Sequence, residues 1–516
     1  MKIFSYSCGN HDSSYAIYDG EKIVCHEELE RHTRIKECNS DVIDFYTKFV
    51  GPIEDFDIVV DYPHIDESLY PRRRKEIIES EEVDVYQVGH HSSHAANAFF
   101  SSNLDEAMIF TLDGGGWDLV DGKLMASATT VWTGKGNKII PLKLFSDKEI
   151  NLGMFWSTFL KEYFDLSYSG PPYGCQAGTV MAMAAMGDPE KYYDKIINQA
   201  AKIPQFKILF PSKQDKYDMA ASIQKITEQQ IKGLMDEMFR QYGYKYKNVC
   251  LSGGTVLNSV SMGKIWDWFP HLENIYIPPV PYDAGLAIGN IQYLLHQTFD
   301  EPRIKYENNF TPYLGKSYSL DVVNEALKDE RLTFRDSNVD DLVDLLTDQK
   351  IVSVFNGGSE SGRRALGNRS ILADPRSESM KDMINKKVKH RAWFRPFAPS
   401  IIREEVKNWF TRDIDSPYMG FVIPFKEEMK SKVPAVVHLD GSARLQTVTQ
   451  KDNKWYYSLI KRFGEKTGVP ILLNTSFNDR EPIVETPQDA VNCFLKTNID
   501  HLYFNIEGKG ILVSKI

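Results

Sequence analysis

The sequence predicts an α/β protein of two domains, the first built from two related lobes that face a cleft. Three observations carry this prediction. Strand-like runs that end in glycine recur three times in the first half of the chain. A length of 516 residues exceeds what one hydrophobic core ordinarily serves. A basic stretch rich in glycine, Asn356–Pro399, stands in the second half of a chain whose net charge is −10.

The first strand unit covers Lys2–Ser7 and Ser14–Tyr18, then an Asp19-Gly20 turn, then Lys22–His26. Asp-Gly between two apolar-alternating runs is a hairpin signal. The second unit has a strand at Ala107–Leu112, a tight turn at Asp113-Gly114-Gly115-Gly116, and further strands at Ala126–Trp132 and Ile139–Leu144. The third is Asn248–Leu251, followed by Ser252-Gly253-Gly254-Thr255 and a helix-like run. Repetition of this kind suggests the actin/sugar-kinase (ASKHA) architecture, in which Gly114, Gly115, Gly253 and Gly254 would let backbone N–H groups approach nucleotide phosphates. Helical periodicity marks Glu149–Tyr163 and Ile223–Tyr242, and Asp340–Leu346 reads as the start of the next domain. The expected division is therefore 1–335 and 336–516.

Composition narrows the class. Hydrophobic residues make up 42% and charged residues 26%, as in ordinary soluble proteins. The acidic balance argues against a general nucleic-acid or membrane surface, so the basic stretch reads as a local anion site. Six cysteines show no CxxC spacing, and no apolar run is long enough to span a bilayer. The N-terminus starts a strand at once instead of a leader, and a reducing cytoplasm is expected.

Two constellations carry chemistry. In His90-His91-Ser92-Ser93-His94, residues 90 and 94 share one face of a helix, a common spacing for a chelating pair. Asp113 and Asp283, each at a glycine-bearing turn, are candidates to complete the set. Two imidazoles and two carboxylates suit iron(II), manganese(II) or zinc. His91 points away from the pair on an ideal helix, toward substrate or solvent. His11-Asp12, between the first two strands, offers either a base for a substrate hydroxyl or an Asx turn that closes the loop. The second constellation is the basic stretch, with ten Arg/Lys side chains among glycines and apolar residues. Guanidinium groups grip phosphate in two-pronged fashion, and glycines allow close backbone approach.

Taken in order, the segments HDSSYAIYDG, EELERHTRIKE, HHSSHAANAFF, LDGGGWD, LSGGTVLN, PPVPYDAGLAIG, GRRALGNRSILADPR, NKKVKHRAWFRPFAPS, GSARLQTV and LLNTSFNDREPIVETP resemble the O-carbamoyltransferases of the NodU/CmcH/TobZ type. The resemblance spans nearly the whole chain. It implies an actin-like N-terminal domain and a YrdC-like α/β C-terminal domain. It implies that the second domain makes carbamoyl-adenylate from carbamoyl phosphate and ATP, and that the first passes the carbamoyl group to an acceptor hydroxyl. The acceptor would be a sugar of a natural product or a hydroxymethylated nucleobase. Lys389 and Arg391, with Ser476 and Asn478, match the KxR…SxN signature. Arg364 and Arg444 would complete that cradle, and Arg395 would face it. His90, His94, Asp113 and Asp283 would hold a divalent metal, iron(II) foremost, with Mg²⁺ accompanying ATP. His11 and Asp12 would lie near the acceptor, and Gly253 and Gly254 along the adenosine.

The chain departs from the family pattern in three places. Arg363 stands where the family has Pro, Thr179 where it has Lys, and the loop after Ser476-Phe477-Asn478 is one residue shorter. A tRNA threonylcarbamoyl-type transferase is an alternative, which the fused domain order weighs against. A non-catalytic nucleotide sensor is another, which the intact cradle and ligand set weigh against. No membrane partner is expected, and a homodimer stays open.

Overall fold

The computed structural model describes residues 1–9, 11–61, 83–120, 123–168, 174–199 and 212–516. It separates into two units, Met1–Phe310 and Thr311–Ile516.

The first unit contains one topology twice. In its first half, β1 (Ile3–Ser7), β2 (Ser14–Tyr18) and β3 (Ile23–Glu28) form an antiparallel meander. β4 (Ile58–Asp61) and β5 (Asp84–Gln87) then add in parallel on the other side of β1, giving the order 3-2-1-4-5. In the second half, β6 (Glu106–Val120), β7 (Lys123–Lys135) and β8 (Lys138–Phe145) repeat the meander. A short pair follows, β9 (Ser167–Tyr168) and β10 (Gly174–Cys175). β11 (Asn248–Ser252) and β12 (Asn274–Tyr276) then join β6 in parallel, so the order β8-β7-β6-β11-β12 reproduces that of the first sheet. This duplicated order is the actin-like arrangement. The Asp19-Gly20 hairpin joins β2 to β3 as expected; Asn10, in the preceding loop, lies outside the described residues.

The Asp113–Gly116 segment is not a turn. β6 runs through it, and the register with β7 slips between Leu112 and Gly116, as in a β-bulge. The reason is steric: a Cβ on Gly116 would lie 2.2 Å from Cγ of His90, so glycine here admits the neighbouring helix rather than reversing the chain.

Two helices pack on each other in this unit. His90–Phe100 lies against β6 and β11, and Leu286–Gln292 lies against β1 and β2. All eleven residues of the first are buried, so it is covered on every side. A Cβ on Gly289 would sit 2.0 Å from the carbonyl oxygen of Ser93, so this glycine sets the close crossing. The helix expected at Glu149–Tyr163 is Leu152–Phe159 continued by a wider turn to Phe164, and the one expected at Ile223–Tyr242 begins earlier, at Lys213. A reciprocal Ser212/Asp215 capping box starts it there, and most residues of its first three turns are buried or half-buried.

The second unit is a mixed sheet of β13 (Leu332–Ser337), β14 (Val352–Asn356), β15 (Arg369–Ala373), β16 (Ala398–Ile402), β17 (Phe421–Pro424), β18 (Ser442–Val448), β19 (Ile471–Ser476), β20 (His501–Ile506) and β21 (Lys509–Lys515). Its order is β13-β21-β20-β14-β15-β19-β16-β18-β17. Helices Val339–Thr347 and Lys454–Thr467 cover one face through Leu342, Leu346, Leu459, Ile460 and Phe463. The unit begins well before the boundary expected near residue 335. β13 pairs with β21 along its whole length, the Gly315 N–H donates to Ser359 O (3.1 Å), and Tyr313 Oη donates to Leu366 O (3.0 Å). Those partners are distant in sequence, so composition near residue 320 does not reveal them.

Candidate functional sites

The first unit gathers His90, His94, Asp113 and Asp283, one ligand atom from each lying within 4.8 Å of the others. The helix brings the two histidines, β6 brings Asp113, and a short turn ahead of Leu286–Gln292 brings Asp283. Nε2 of His90 and Nε2 of His94 lie 3.0 and 2.9 Å from one oxygen of Asp113, Oδ2. The other oxygen, Oδ1, accepts the N–H groups of Gly114 (2.8 Å) and Gly254 (3.3 Å), which orients the carboxylate. His94 Nδ1 meets Ser252 Oγ at 3.2 Å, which leaves Nε2 facing the carboxylates. Burial opposes charge on both partners. Hydrogen bonds to Asp113 and Asp283 nevertheless raise His94 to about 9, and the two imidazoles hold Asp113 well below the carboxylate range. Two buried imidazoles and two half-buried carboxylates in one spot, steadied from behind by backbone N–H and hydroxyl groups, fit a divalent transition ion.

The helix that carries the histidines has Gly89 at its N-cap and no local side-chain cap. Asp118, further along β6, does this work. Its Oδ2 accepts His91 N–H (3.0 Å), and its Oδ1 accepts Ser92 N–H and Ser92 Oγ–H (2.8 Å each). A sequence reading has no means of finding a cap supplied from 27 residues away. His91 faces neither solvent nor substrate. It is buried between Thr111 Oγ1 (2.8 Å) and Ser127 O (2.9 Å), and burial pushes it down to about 4.

The expected glycine cradle works differently from the prediction. The N–H groups of Gly114 and Gly254 serve Asp113, and that of Gly253 donates to Pro281 O (2.6 Å). Gly253 is left-handed (φ 99°), and a Cβ there would lie 2.2 Å from Leu112 O. These glycines permit close backbone packing around the carboxylate.

His11 stands beside this group. Its Nδ1 is 2.8 Å from Oδ2 of buried Asp12, its Nε2 is 4.0 Å from Asp283 Oδ2, and half of its side chain is exposed. Ser14 Oγ and His26 Nε2 both donate to Ala284 O (2.8 Å each), fastening this hairpin to the turn that carries Asp283.

In the second unit the basic stretch divides by role. Arg369 is fully buried, donates to the carbonyls of Asn356, Gly357 and Asn368, and lies over the Phe355 ring. Arg376 pairs with Asp374. These two are structural. Four other arginines form an electrostatic cluster. Burial lowers Arg444, and the neighbouring Arg364, Arg395 and Arg391 lower it further; burial and Arg395 lower Arg391. Guanidinium groups do not give up their proton at neutral pH, so the four charges repel one another, and an anion bound among them would relieve that repulsion.

Lys389 is buried. Its Nζ donates to Ser476 O (2.5 Å), Asn478 O (2.8 Å) and Asn478 Oδ1 (2.7 Å), and lies 3.3 Å from Ser476 Oγ, so the structure unites Lys389, Ser476 and Asn478. Arg391 Nε donates to Asn385 Oδ1 (2.7 Å), and its guanidinium lies over the Phe397 ring. The loop that bears Arg364 folds around Glu360, whose Oε1 accepts the N–H groups of Leu366, Asn368 and Arg369 (2.7, 2.7 and 3.1 Å). Gln446 Nε2 and Asn474 Nδ2 tie down the Leu366 and Ala365 carbonyls of the same loop (3.0 Å each). None of these three anchors was expected; an acidic residue within a glycine-rich basic run is the signal that could have suggested Glu360.

Fold and sites together define a protein with an actin-like unit that presents a His/Asp group and an α/β unit that presents clustered cations. Family comparison makes the class specific. Residues 343–508 match the carbamoyltransferase C-terminus, and residues 65–210 and 204–291 match the carbamoyltransferase N-terminus. The uncharacterized protein sll1178 of Synechocystis is 33% identical over 80% of this chain and 74% of its own length. Nodulation protein NolO of Bradyrhizobium diazoefficiens is 32% identical over 80% and 77%, and nodulation protein NolNO of Sinorhizobium fredii is 34% identical over 80% and 62%. HypF of T. kodakarensis superposes with a TM-score of 0.37 at 14% identity, over 56% of this chain and 47% of that one. The chain belongs to the carbamoyltransferase family and is a carbamoyltransferase enzyme. No helix among the described residues is long and apolar enough to cross a membrane.

Proposed function

We propose that the second unit makes carbamoyl-adenylate from carbamoyl phosphate and ATP, and that the first unit transfers the carbamoyl group to an acceptor hydroxyl. The observation that carries this reading is that one unit holds both the mutually repelling Arg364, Arg391, Arg395 and Arg444 and the Lys389–Ser476–Asn478 group. Making the mixed anhydride brings carbamoyl phosphate against a triphosphate, and cations already in place offset that repulsion without reorganising.

Atom balance defines the first half-reaction. Carbamoyl phosphate, ATP and one water yield carbamoyl-adenylate, one orthophosphate and one pyrophosphate. Water cleaves the bond between the carbamoyl group and its phosphate, releasing orthophosphate and leaving carbamate; a carbamate oxygen then bonds to the α-phosphorus of ATP, and the α–β anhydride bond breaks to release pyrophosphate. Lys389 contributes a positive charge whose position the oxygens of Ser476 and Asn478 hold.

In the second half-reaction the acceptor oxygen attacks the carbamoyl carbon and AMP departs. His11 takes the hydroxyl proton, and buried Asp12 holds the imidazole ready through Nδ1. His90, His94, Asp113 and Asp283 would hold a divalent ion, iron(II) by our reading, which when bound supplies Lewis-acid stabilisation of the leaving phosphate. Gly253 and Gly254 would lie along the adenosine. We take the acceptor to be a sugar hydroxyl of a natural product or a hydroxymethylated nucleobase. The requirement for ATP and the free cysteines among the described residues suit a reducing cytoplasm.

The test is to incubate the purified protein with ATP, carbamoyl phosphate and Mg²⁺ and no acceptor, and to measure orthophosphate and pyrophosphate. Release that depends on carbamoyl phosphate and is lost in Lys389→Ala is the expected result. No release from folded, ATP-binding protein would overturn adenylation as the first step.

A further inference from the structure

The cationic cluster contains donors only, yet carbamoyl phosphate carries an amino group that needs an acceptor. Arginine and lysine can grip its phosphate and carbonyl oxygens, but they cannot tell its nitrogen from a methyl group. Ser476 and Asn478 offer oxygens, but Lys389 already occupies them.

One acceptor of the right kind stands at the start of the strand that carries Arg444. His438 precedes β18 in a turn closed by its own N–H to Ser442 O (2.8 Å). Ser442 and Arg444 lie on the same face of β18. Gln446 follows on that face and binds the carbonyl of Leu366, in the loop that carries Arg364. His438 Nδ1 lies 3.4 Å from Ser442 Oγ, so the imidazole stands on the face of β18 that carries Arg444, and Arg444 and Lys381 both act on it electrostatically.

Its protonation state follows from its neighbours. Burial, Arg444 and Lys381 outweigh Asp440 and push His438 down to about 4, so the ring is neutral. Ser442 Oγ–H donates to Asp440 Oδ1 (2.5 Å), so toward His438 Nδ1, 3.4 Å away, the serine oxygen can only accept. The ring proton therefore sits on Nδ1 and Nε2 is a bare acceptor. That Nε2 is buried and has no hydrogen-bond partner among the described residues. A buried acceptor left unsatisfied is costly unless a ligand completes it.

We propose that His438 reads the amino group of carbamoyl phosphate, its Nε2 accepting one N–H, and so selects this donor over acyl phosphates that carry carbon in place of that nitrogen. The inference rests on the adenylation reading above and names the residue that gives its donor specificity.

Acetyl phosphate is the matched probe, since a methyl group replaces the amino group. Affinities of carbamoyl phosphate and acetyl phosphate are measured by calorimetry on the full chain, wild type and variants, with thermal melting as the check on folding. Wild type is expected to prefer carbamoyl phosphate. His438→Phe should weaken carbamoyl phosphate about tenfold, the worth of one hydrogen bond, and leave acetyl phosphate unchanged. If the Phe variant does not fold, the pair His438→Gln and His438→Asn carries the test. Gln can place an oxygen where Nε2 was and should retain the preference; Asn cannot reach and should lose it.

Equal weakening of both ligands, or a preference that survives loss of the ring, would overturn the proposal. So would a wild type that binds the two alike. The pyrophosphate assay separates the two ideas. A preference erased by His438→Phe in a protein that releases no pyrophosphate supports the role of His438 and sinks adenylation. Release of pyrophosphate with the preference unaltered in the variant does the opposite.

Discussion

Asp118 is where a single side chain outside the His/Asp group should control it. The carboxylate is buried and accepts three hydrogen bonds from the first turn of the helix that bears His90 and His94. Two come from backbone N–H groups at the second and third helical positions, which a local cap residue would normally satisfy. Asp118→Ala removes the cap and leaves those donors buried. A cap alone is worth about 1 kcal/mol, and stranded buried donors add about 1 kcal/mol each, so the loss should be about 3 kcal/mol. In a unit of this size that is a fall of roughly 6 °C in melting temperature. Asp118→Asn keeps the acceptor toward Ser92 and sets an NH₂ against the His91 N–H, so about half of that loss is expected. Because both imidazoles ride on this helix, manganese(II) affinity measured by titration should fall roughly 10- to 100-fold in the alanine variant. Pyrophosphate release, which we assign to the other unit, should stay near wild type. A variant that melts within about a degree of wild type and binds manganese(II) equally well would refute the reasoning.

Three further outcomes are expected. Arg444→Ala should abolish pyrophosphate release yet spare transfer from supplied carbamoyl-adenylate, and His94→Ala should do the reverse; identical failure of both variants in both half-reactions would break the assignment of labour between the units. Gly116→Ala sets a methyl group 2.2 Å from the His90 ring, so manganese(II) affinity should drop at least about tenfold, as read by titration. Inorganic pyrophosphate should stabilise wild type by about 2.7 kcal/mol at a hundred times its dissociation constant, through relief of repulsion among the arginines; the check is a rise in melting temperature, which Arg444→Ala should shrink.

Much of both sites was legible because their residue types have few other uses in such spacing. His90 and His94 are four apart on a helix, and the prediction needed only helical periodicity. The hairpin at Asp19-Gly20 and the repeated strand units followed from local turn chemistry. What failed was long-range. Asp113-Gly114-Gly115-Gly116 has the composition of a turn and is a bulge, because the ring it accommodates comes from another element. Arg369 and Arg376 look like the arginines around them, yet carbonyls and Asp374 claim them.

The sequence by itself therefore determined the two-domain α/β plan, the metal-type side chains, the cationic segment and the family. Each of these is written in periodicity or in local clusters of residue types. Only the tertiary structure decided where the second unit begins, which cations are structural, that the glycine N–H groups orient Asp113, and that Asp118 caps the histidine helix. Those depend on strand pairing and burial between distant segments, where a backbone N–H or a guanidinium takes whichever acceptor the fold brings within 3 Å.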